Sequence, residues 1–118
     1  MTLFEKYGGF TTVSNIVRQF YKDLTSSPNL RPYFEHINME SLIDHQTKFI
    51  SHALGGPAEY TGRTLAKSHK GLSITNAHFD EVADILQDVL EDAGVEAEDV
   101  TAIMGIISST RSAIVEEN

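Results

Sequence analysis

The sequence predicts an all-α domain, because its apolar residues recur at helical spacing and no stretch alternates as a strand does. Four substantial amphipathic segments carry this pattern, and short links rich in glycine, proline, serine or asparagine separate them. The 118 residues form a single domain, 1–118, that is large enough to bury a core. The pattern fits a helical bundle or a compact helical sandwich and does not distinguish between them.

Glycine, proline and capping residues set the expected bounds of the first helices. A short helix over residues 3–7 ends at the Gly8-Gly9 pair, and Thr11 or Thr12 is expected to cap the second helix. The second helix ends at Ser26-Ser27-Pro28, after which Pro28 opens a short turn.

The same signals divide the remainder of the chain. Asn38 is expected to cap the third helix, and Thr75 or Asn76 the fourth. Glycines close the third and fourth helices, and the last helix is expected to run without a break. With a short helical turn included, the predicted segments are 38–55, 64–70, 75–94 and 97–115.

The composition excludes several classes of protein. The absence of cysteine rules out disulfides, thiolate zinc sites, iron–sulfur clusters and the covalent attachment of c-type haem. The net charge is −8 and the nine Lys and Arg residues are scattered, so nucleic acids and membranes are poor partners. No apolar run reaches membrane-spanning length and the chain does not start like a signal peptide, so we expect a cytoplasmic location.

Three polar residues interrupt or border the apolar faces of the second and third helices. Tyr21 lies within the apolar stripe of the second helix, and His45 and Gln46 lie along that of the third. Burial of His or Gln without a partner costs about 1–3 kcal/mol, so either this edge is exposed or the two residues face a polar or metallic ligand. Tyr21 is either a core tyrosine bonded to a backbone carbonyl or a donor in the same pocket.

His69 lies on the predicted turn over 64–70, on an apolar face that it shares with Leu65. A lone imidazole near a helix end is more often a surface or capping residue than a ligand. An iron porphyrin, however, needs an axial imidazole, an apolar slot and a few polar groups on the opposite side. Tyr21, Gln46 and several phenylalanines could supply that slot and those groups, whereas His45 and His52 lack the spacing of a zinc site.

Short motifs follow one another in a specific order: Gly8-Gly9, Phe20-Tyr21, Tyr33-Phe34, His45-Gln46-x-x-Phe49, Leu54-Gly55-Gly56, Tyr60-x-Gly62-Arg63, Ala66-x-x-His69 and His78-Phe79. In this order and spacing the chain resembles the truncated haemoglobins of the first group, the two-over-two globins, nearly from end to end. The resemblance implies a truncated globin-like two-over-two helical sandwich that encloses one non-covalent haem b per chain.

The resemblance also implies roles for individual residues. His69 is the expected proximal iron ligand, Tyr21 and Gln46 are the expected distal hydrogen-bond donors, and His45 is a possible sixth iron ligand. Arg63 and Lys67 are candidates for pairing with the haem propionates. The residues expected to contact the haem are Phe34, Leu42, His45, Phe49, Arg63, Leu65, Lys67, His69 and Phe79. The chain has no His after His78, so the covalent bond that certain relatives form between a histidine and a haem vinyl group is not expected.

The function implied by the resemblance is reversible binding of oxygen, nitric oxide and carbon monoxide by a monomer. Nitric oxide dioxygenation is the expected chemistry, with electrons from an unidentified reductase. One alternative is an electron-transfer or redox- or gas-sensing protein whose iron is saturated by two histidines. A more distant alternative is a haem-free helical adaptor whose acidic surface binds a partner.

Overall fold

The computed structural model describes residues 2–56 and 73–116. All regular structure in these two ranges is helical and neither contains a strand, so the prediction of an all-α fold is confirmed. The predicted turn over 64–70 lies outside the described residues. The described elements are α1 (Leu3–Lys6), α2 (Gly9–Ser26), a 3-10 helix (Arg31–Phe34), α3 (Met39–Ala53), α4 (Asn76–Asp92), α5 (Ala97–Ser108) and α6 (Arg111–Ile114).

Side-chain caps fix the starts of α3 and α4. The Asn38 side chain accepts a hydrogen bond of 3.1 Å from the backbone amide of Ser41, at the start of α3. The Thr75 hydroxyl accepts one of 3.1 Å from the amide of His78, at the start of α4. Both predicted caps are confirmed, and each satisfies an amide that the first turn of a helix leaves without a partner.

The predicted start of α2 at Thr11 or Thr12 is wrong, because the helix begins at Gly9 without a side-chain cap. Gly8 has a φ of 104°, a left-handed conformation that lets α2 begin almost directly after α1. A Cβ atom on Gly8 would lie 2.5 Å from the Thr12 hydroxyl oxygen, so this tight start needs glycine. Thr12 therefore packs over Gly8 instead of capping the helix.

The expected unbroken last helix is also wrong, because α5 ends at Ser108 and α6 begins at Arg111. At the break, the Ser109 hydroxyl donates to the carbonyl of Ile106 at 2.5 Å, and the Thr110 hydroxyl donates to that of Ile107 at 2.6 Å. Such local side-chain bonds compete with helical backbone bonds, which is why a hydrophobic pattern alone overestimated the length of this helix.

Helix α2 is the centre of the fold, since it packs against α3 and α4, and α4 in turn packs against α5. An ion pair of 3.2 Å joins Arg18, in the middle of α2, to Glu40 at the start of α3. The amide of Phe4 bonds the carbonyl of Leu54, just after α3, at 3.0 Å. The two contacts together show that α2 and α3 run antiparallel. The buried core is Val13, Val17, Phe20, Tyr21, Leu24, Leu30, Ile43, Leu54, Leu86, Val89, Leu90, Val95, Val100 and Ile103.

Polar contacts join the end of α1 to the start of α5. Lys6 lies 2.8 Å from the Asp99 carboxylate, which also accepts a hydrogen bond from the Tyr7 hydroxyl. These two hydrogen bonds hold the pKa of Asp99 below its usual value. No helix in the described ranges is long and apolar enough to cross a membrane.

Candidate functional site

Tyr21 is the most distinctive of the predicted site residues. Its side chain is 7% exposed and lies among aromatic rings, with the Phe20 ring centroid at 5.1 Å and the Phe34 centroid at 5.7 Å. Among the described residues, no group accepts a hydrogen bond from its hydroxyl. Burial raises the pKa of this hydroxyl, so the group keeps its proton at neutral pH and can donate a hydrogen bond. The described residues therefore provide no backbone carbonyl for a simple core tyrosine.

The backbone and the neighbouring ring hold Tyr21 in a defined place. The hydroxyl of Thr25, one turn later, donates to the Tyr21 carbonyl at 2.9 Å. The ring of Phe34 meets the ring of Tyr21 in an edge-on arrangement with an interplanar angle of 83°. The structure thus brings together two of the predicted site residues, which come from α2 and from the 3-10 helix.

The predicted site residues on α3 differ in exposure. Leu42 and Gln46 are half-buried, Phe49 is buried and His45 is exposed. The sequence left open whether this edge of α3 is exposed or faces a ligand. The structure shows that His45 is exposed, whereas Gln46 is partly enclosed and so compatible with a place in a pocket. Because α3 packs against α2, Gln46 lies on the helix adjacent to the one that carries Tyr21.

Phe49 and Phe79 are buried, at 9% and 5% exposure, but neither belongs to the contiguous core cluster of the described residues. The guanidinium carbon of Arg111 lies 4.5 Å from the centroid of the Phe79 ring. An open depression of about 390 Å³ beside Arg111 contains none of the predicted haem-contacting residues. The two phenylalanines are thus buried outside the main core cluster of the described residues.

The proximal half of the predicted site lies outside the described residues. This applies to His69, to Leu65 on the same predicted turn, and to Arg63 and Lys67, the candidates for pairing with the propionates. Their roles stay predictions. Within the described ranges, no group of three or more His, Cys, Asp or Glu side chains could hold a metal ion by itself.

The residues of the described half fit a haem in their chemistry. A haem pocket needs apolar walls and a small number of hydrogen-bond donors on the side where a gas binds. Phe34 and Leu42 are half-buried and Phe49 is buried, and the buried Tyr21 side chain carries a hydroxyl with no acceptor among the described residues. A buried donor without any acceptor costs about 1–3 kcal/mol, so an acceptor outside the described residues, such as a bound ligand, would stabilise it.

Sequence reasoning missed a set of contacts between the 3-10 helix and α4. The Tyr33 hydroxyl lies 2.6 Å from Nδ1 of His78, although 45 residues separate them. Both residues stand in the motifs that carry the family resemblance, but a single sequence does not show that they meet. It also missed Thr47 and Ser51, whose buried hydroxyls have no partner within the described ranges.

Comparison with known proteins gives consistent matches. The family model described as bacterial-like globin matches residues 2–116. A group 1 truncated haemoglobin of Tetrahymena thermophila is 34% identical over 110 residues, which cover 93% of this chain and 91% of the relative. The ferric crystal structure of truncated haemoglobin from Tetrahymena pyriformis matches with a TM-score of 0.90 at 29% identity, over 99% of this chain and 100% of that one.

A second solved structure has the same fold. It is a 2/2 haemoglobin from a Synechococcus species, in the cyanomet state and with covalently attached haem. It matches with a TM-score of 0.90 at 24% identity, over 99% of this chain and 100% of that one, so it supports the fold alone. These matches confirm the predicted two-over-two helical sandwich.

Proposed function

This chain belongs to the bacterial-like globin family as a group 1 truncated haemoglobin, a haem-based gas-binding protein, and we propose that its chemistry is nitric oxide dioxygenation. When bound, the haem supplies the ferrous iron at which oxygen and nitric oxide react to give nitrate, and an electron donor outside the chain must then reduce the iron. The protein's part is to hold the haem, to exclude water and to donate hydrogen bonds to the gas.

The observation that carries the proposal is the buried Tyr21 hydroxyl, for which the described residues offer no acceptor. A donor fixed in an apolar, water-poor site stabilises developing negative charge more than the same donor would in water. Oxygen becomes more negative on a ferrous haem, whereas carbon monoxide remains less polar. Tyr21 therefore favours slow release of oxygen, which suits a protein that traps nitric oxide better than one that delivers oxygen.

Gln46 is the second donor that we assign to the distal side. Its side chain is half-buried on α3, the helix packed against α2, and its amide group carries two N–H donors. An amide can hydrogen bond the gas directly, or it can hold the Tyr21 hydroxyl in position. Either role needs a partly enclosed side chain, and Gln46 has one whereas its neighbour His45 is exposed.

On the proximal side, we assign His69 as the iron ligand. Its second ring nitrogen would donate to a backbone carbonyl one turn earlier, near Leu65, and so fix the orientation of the ring. Arg63 and Lys67 would pair with the propionates, because they are basic residues close to His69 in a chain of net charge −8. Exposed ion pairs contribute only about 0–1 kcal/mol each, so they would orient the haem more than retain it.

We further propose that one haem b is held without a covalent bond. The chain has no cysteine for a thioether linkage and no His after His78 for a bond to a vinyl group. Extraction with acidified butanone should therefore remove all of the haem from the purified protein. Haem that stays with the polypeptide would contradict this part of the proposal.

The function is tested by mixing the ferrous, oxygenated protein with nitric oxide in a stopped-flow spectrometer. We expect rapid conversion to the ferric spectrum and formation of one nitrate per haem. The Tyr21→Phe variant, measured immediately after it is oxygenated, provides a comparison in which oxygen is held less firmly. Slow or absent oxidation of the wild type, without nitrate, would contradict the proposal.

A second candidate function, electron transfer or sensing with two axial histidines, depends on whether His45 binds the iron. The ring is exposed on α3, and no group of the described residues holds it. To bind iron as a sixth ligand, this exposed ring would have to turn into the pocket. If it binds iron, the apparent affinity for gas falls by the fraction of molecules whose sixth site is open.

His45→Leu decides whether this histidine binds iron. We expect the gas-free ferrous wild type to be six-coordinate and low-spin, and the variant to be five-coordinate with faster carbon monoxide binding. His36→Leu replaces another exposed histidine and is the matched control. A wild type that is already five-coordinate would exclude His45 as a ligand, and a sixth ligand that never yields to gas would favour the electron-transfer function.

A further inference from the structure

Side-chain hydrogen bonds and a ring contact join the segment between α2 and α3 to the first two turns of α4. The Tyr33 hydroxyl and His78 Nδ1 are 2.6 Å apart, and the two rings meet edge-on with centroids 5.6 Å apart. Tyr33 belongs to the 3-10 helix, and His78 lies in the first turn of α4. This contact joins two parts of the chain that are far apart in sequence.

One turn further along α4, Glu81 makes a second attachment. Its carboxylate accepts hydrogen bonds from the Ser27 hydroxyl and, at 3.2 Å, from the side-chain amide of Asn29. Both bonds favour the charged form and lower the pKa of Glu81, so the carboxylate is ionised and remains an acceptor at neutral pH. We refer to the Tyr33–His78 and Glu81 contacts together as the α4 latch.

The latched segment is short and internally bonded, so we expect it to move as a unit. The amides of Leu30 and Arg31 both bond the carbonyl of Ser27, at 3.2 and 2.9 Å, and the amide of Tyr33 bonds the carbonyl of Leu30 at 3.1 Å. Leu30 is 1% exposed and anchors the segment in the core. The latch therefore fixes the position of the whole 3-10 helix, including Phe34 at its end.

Phe34 packs against Tyr21, so the position of the 3-10 helix affects the position of the Tyr21 ring. The two rings meet edge-on at 5.7 Å, and a hydrogen bond to a described residue does not hold the Tyr21 hydroxyl. Within the described part of the chain, ring contacts rather than a polar partner thus set the direction in which the hydroxyl points. A movement of Phe34 by a fraction of an ångström would change the side-chain angle of Tyr21.

We propose that the α4 latch positions the distal donor: Tyr33, His78 and Glu81 hold the 3-10 helix so that Phe34 keeps the Tyr21 hydroxyl directed at the gas. The expected effect of the latch on oxygen rests on the proposed distal role of Tyr21. Its effect on the position of the Tyr21 ring does not. Tyr33 and His78 are positioning residues, and neither needs to touch the haem or the gas.

Tyr33→Phe removes the latch hydroxyl and keeps the ring. Loss of one neutral hydrogen bond should raise the opening of the segment about two- to tenfold. Hydrogen exchange at the amides of Tyr33 and Ile37, which bond the carbonyls of Leu30 and Phe34, should accelerate by that factor. The NMR resonances of the Tyr21 ring should shift, and oxygen dissociation should accelerate within the same range, whereas carbon monoxide dissociation should change much less.

Three comparisons separate a positioning role from general destabilisation. His78→Gln keeps an acceptor for the Tyr33 hydroxyl and should restore wild-type behaviour, whereas His78→Leu should reproduce Tyr33→Phe. Tyr7→Phe removes a hydroxyl that bonds Asp99 at the far end of the molecule, and it should leave both the Tyr21 resonances and oxygen dissociation unchanged. In a Tyr21→Phe background, Tyr33→Phe should have no further effect on oxygen dissociation.

The outcomes distinguish the latch from the proposed function. Unchanged Tyr21 resonances in a folded Tyr33→Phe protein would overturn the latch, whatever the oxygen kinetics. An acceleration of oxygen dissociation by Tyr33→Phe that is as large in the Tyr21→Phe background as in the wild type would overturn it as well. If Tyr21→Phe does not alter oxygen dissociation but Tyr33→Phe still shifts the Tyr21 ring, the latch stands and the distal role of Tyr21 fails.

Discussion

His69→Ala is expected to abolish stable haem binding. When a gas occupies the sixth site, the bond from the His69 imidazole is the only one that we propose between this protein and the iron. Loss of a residue that merely orients a metal ligand typically costs 10- to 100-fold in metal affinity, so loss of the ligand should accelerate haem transfer by about a hundredfold or more. The measurement is the rate at which the ferric protein transfers its haem to an excess of an acceptor globin, followed in the Soret band.

The control for this variant is His36→Ala, because His36 is exposed and lies outside the predicted site. It should retain its haem as the wild type does. Added imidazole should restore a Soret spectrum to His69→Ala, since the free base can occupy the position of the missing side chain. Normal haem retention by His69→Ala, with an unchanged spectrum, would show that another residue holds the iron.

Tyr21→Phe should accelerate oxygen dissociation about tenfold. A neutral hydrogen bond contributes roughly 0.5–1.5 kcal/mol, and the upper value corresponds to about a factor of ten. Bonds to charged acceptors are about twice as strong, so the factor should grow with the negative charge on the oxygen. The substitution removes only the hydroxyl, which bonds no described residue, so the fold should lose little stability.

The rate is measured by displacing oxygen with excess carbon monoxide, and carbon monoxide dissociation is measured in parallel. Carbon monoxide is less polar when bound, so its dissociation should change far less than that of oxygen. Tyr7→Phe, which removes a hydroxyl at the α1–α5 contact, serves as the matched control. Equal effects on the two gases would indicate a change in packing around Phe34 instead of a lost hydrogen bond.

Local rules predicted the helices from the sequence. They did not predict the places where a left-handed glycine or a side-chain hydrogen bond changes where a helix starts or ends. Asn38 and Thr75 were correctly expected to cap α3 and α4, because their side chains bond amides only three residues away. At Gly8 a left-handed turn replaced the expected threonine cap. At Ser109 the hydroxyl bonds its own helix and interrupts a hydrophobic pattern that otherwise continues.

The family motifs in the sequence predict which residues form the candidate site. They do not predict the long-range contacts between those residues and the rest of the fold. The helical stripe already marked Tyr21 as unusual, because a tyrosine inside an apolar face needs an acceptor. The contact between Tyr33 and His78 joins residues 45 positions apart, and it depends on how α4 packs against the segment before α3. No local rule encodes such packing, so a single sequence cannot reveal it.

The central claim is that the Tyr21 hydroxyl, buried without an acceptor in the described part of the protein, donates to a ligand on the haem. The most direct test is a high-resolution crystal structure of the haem-bound ferric protein with cyanide. We expect His69 on the proximal side of the iron and the Tyr21 oxygen about 2.6–3.2 Å from the cyanide nitrogen. A Tyr21 hydroxyl bonded to a backbone carbonyl and directed away from the ligand would contradict it.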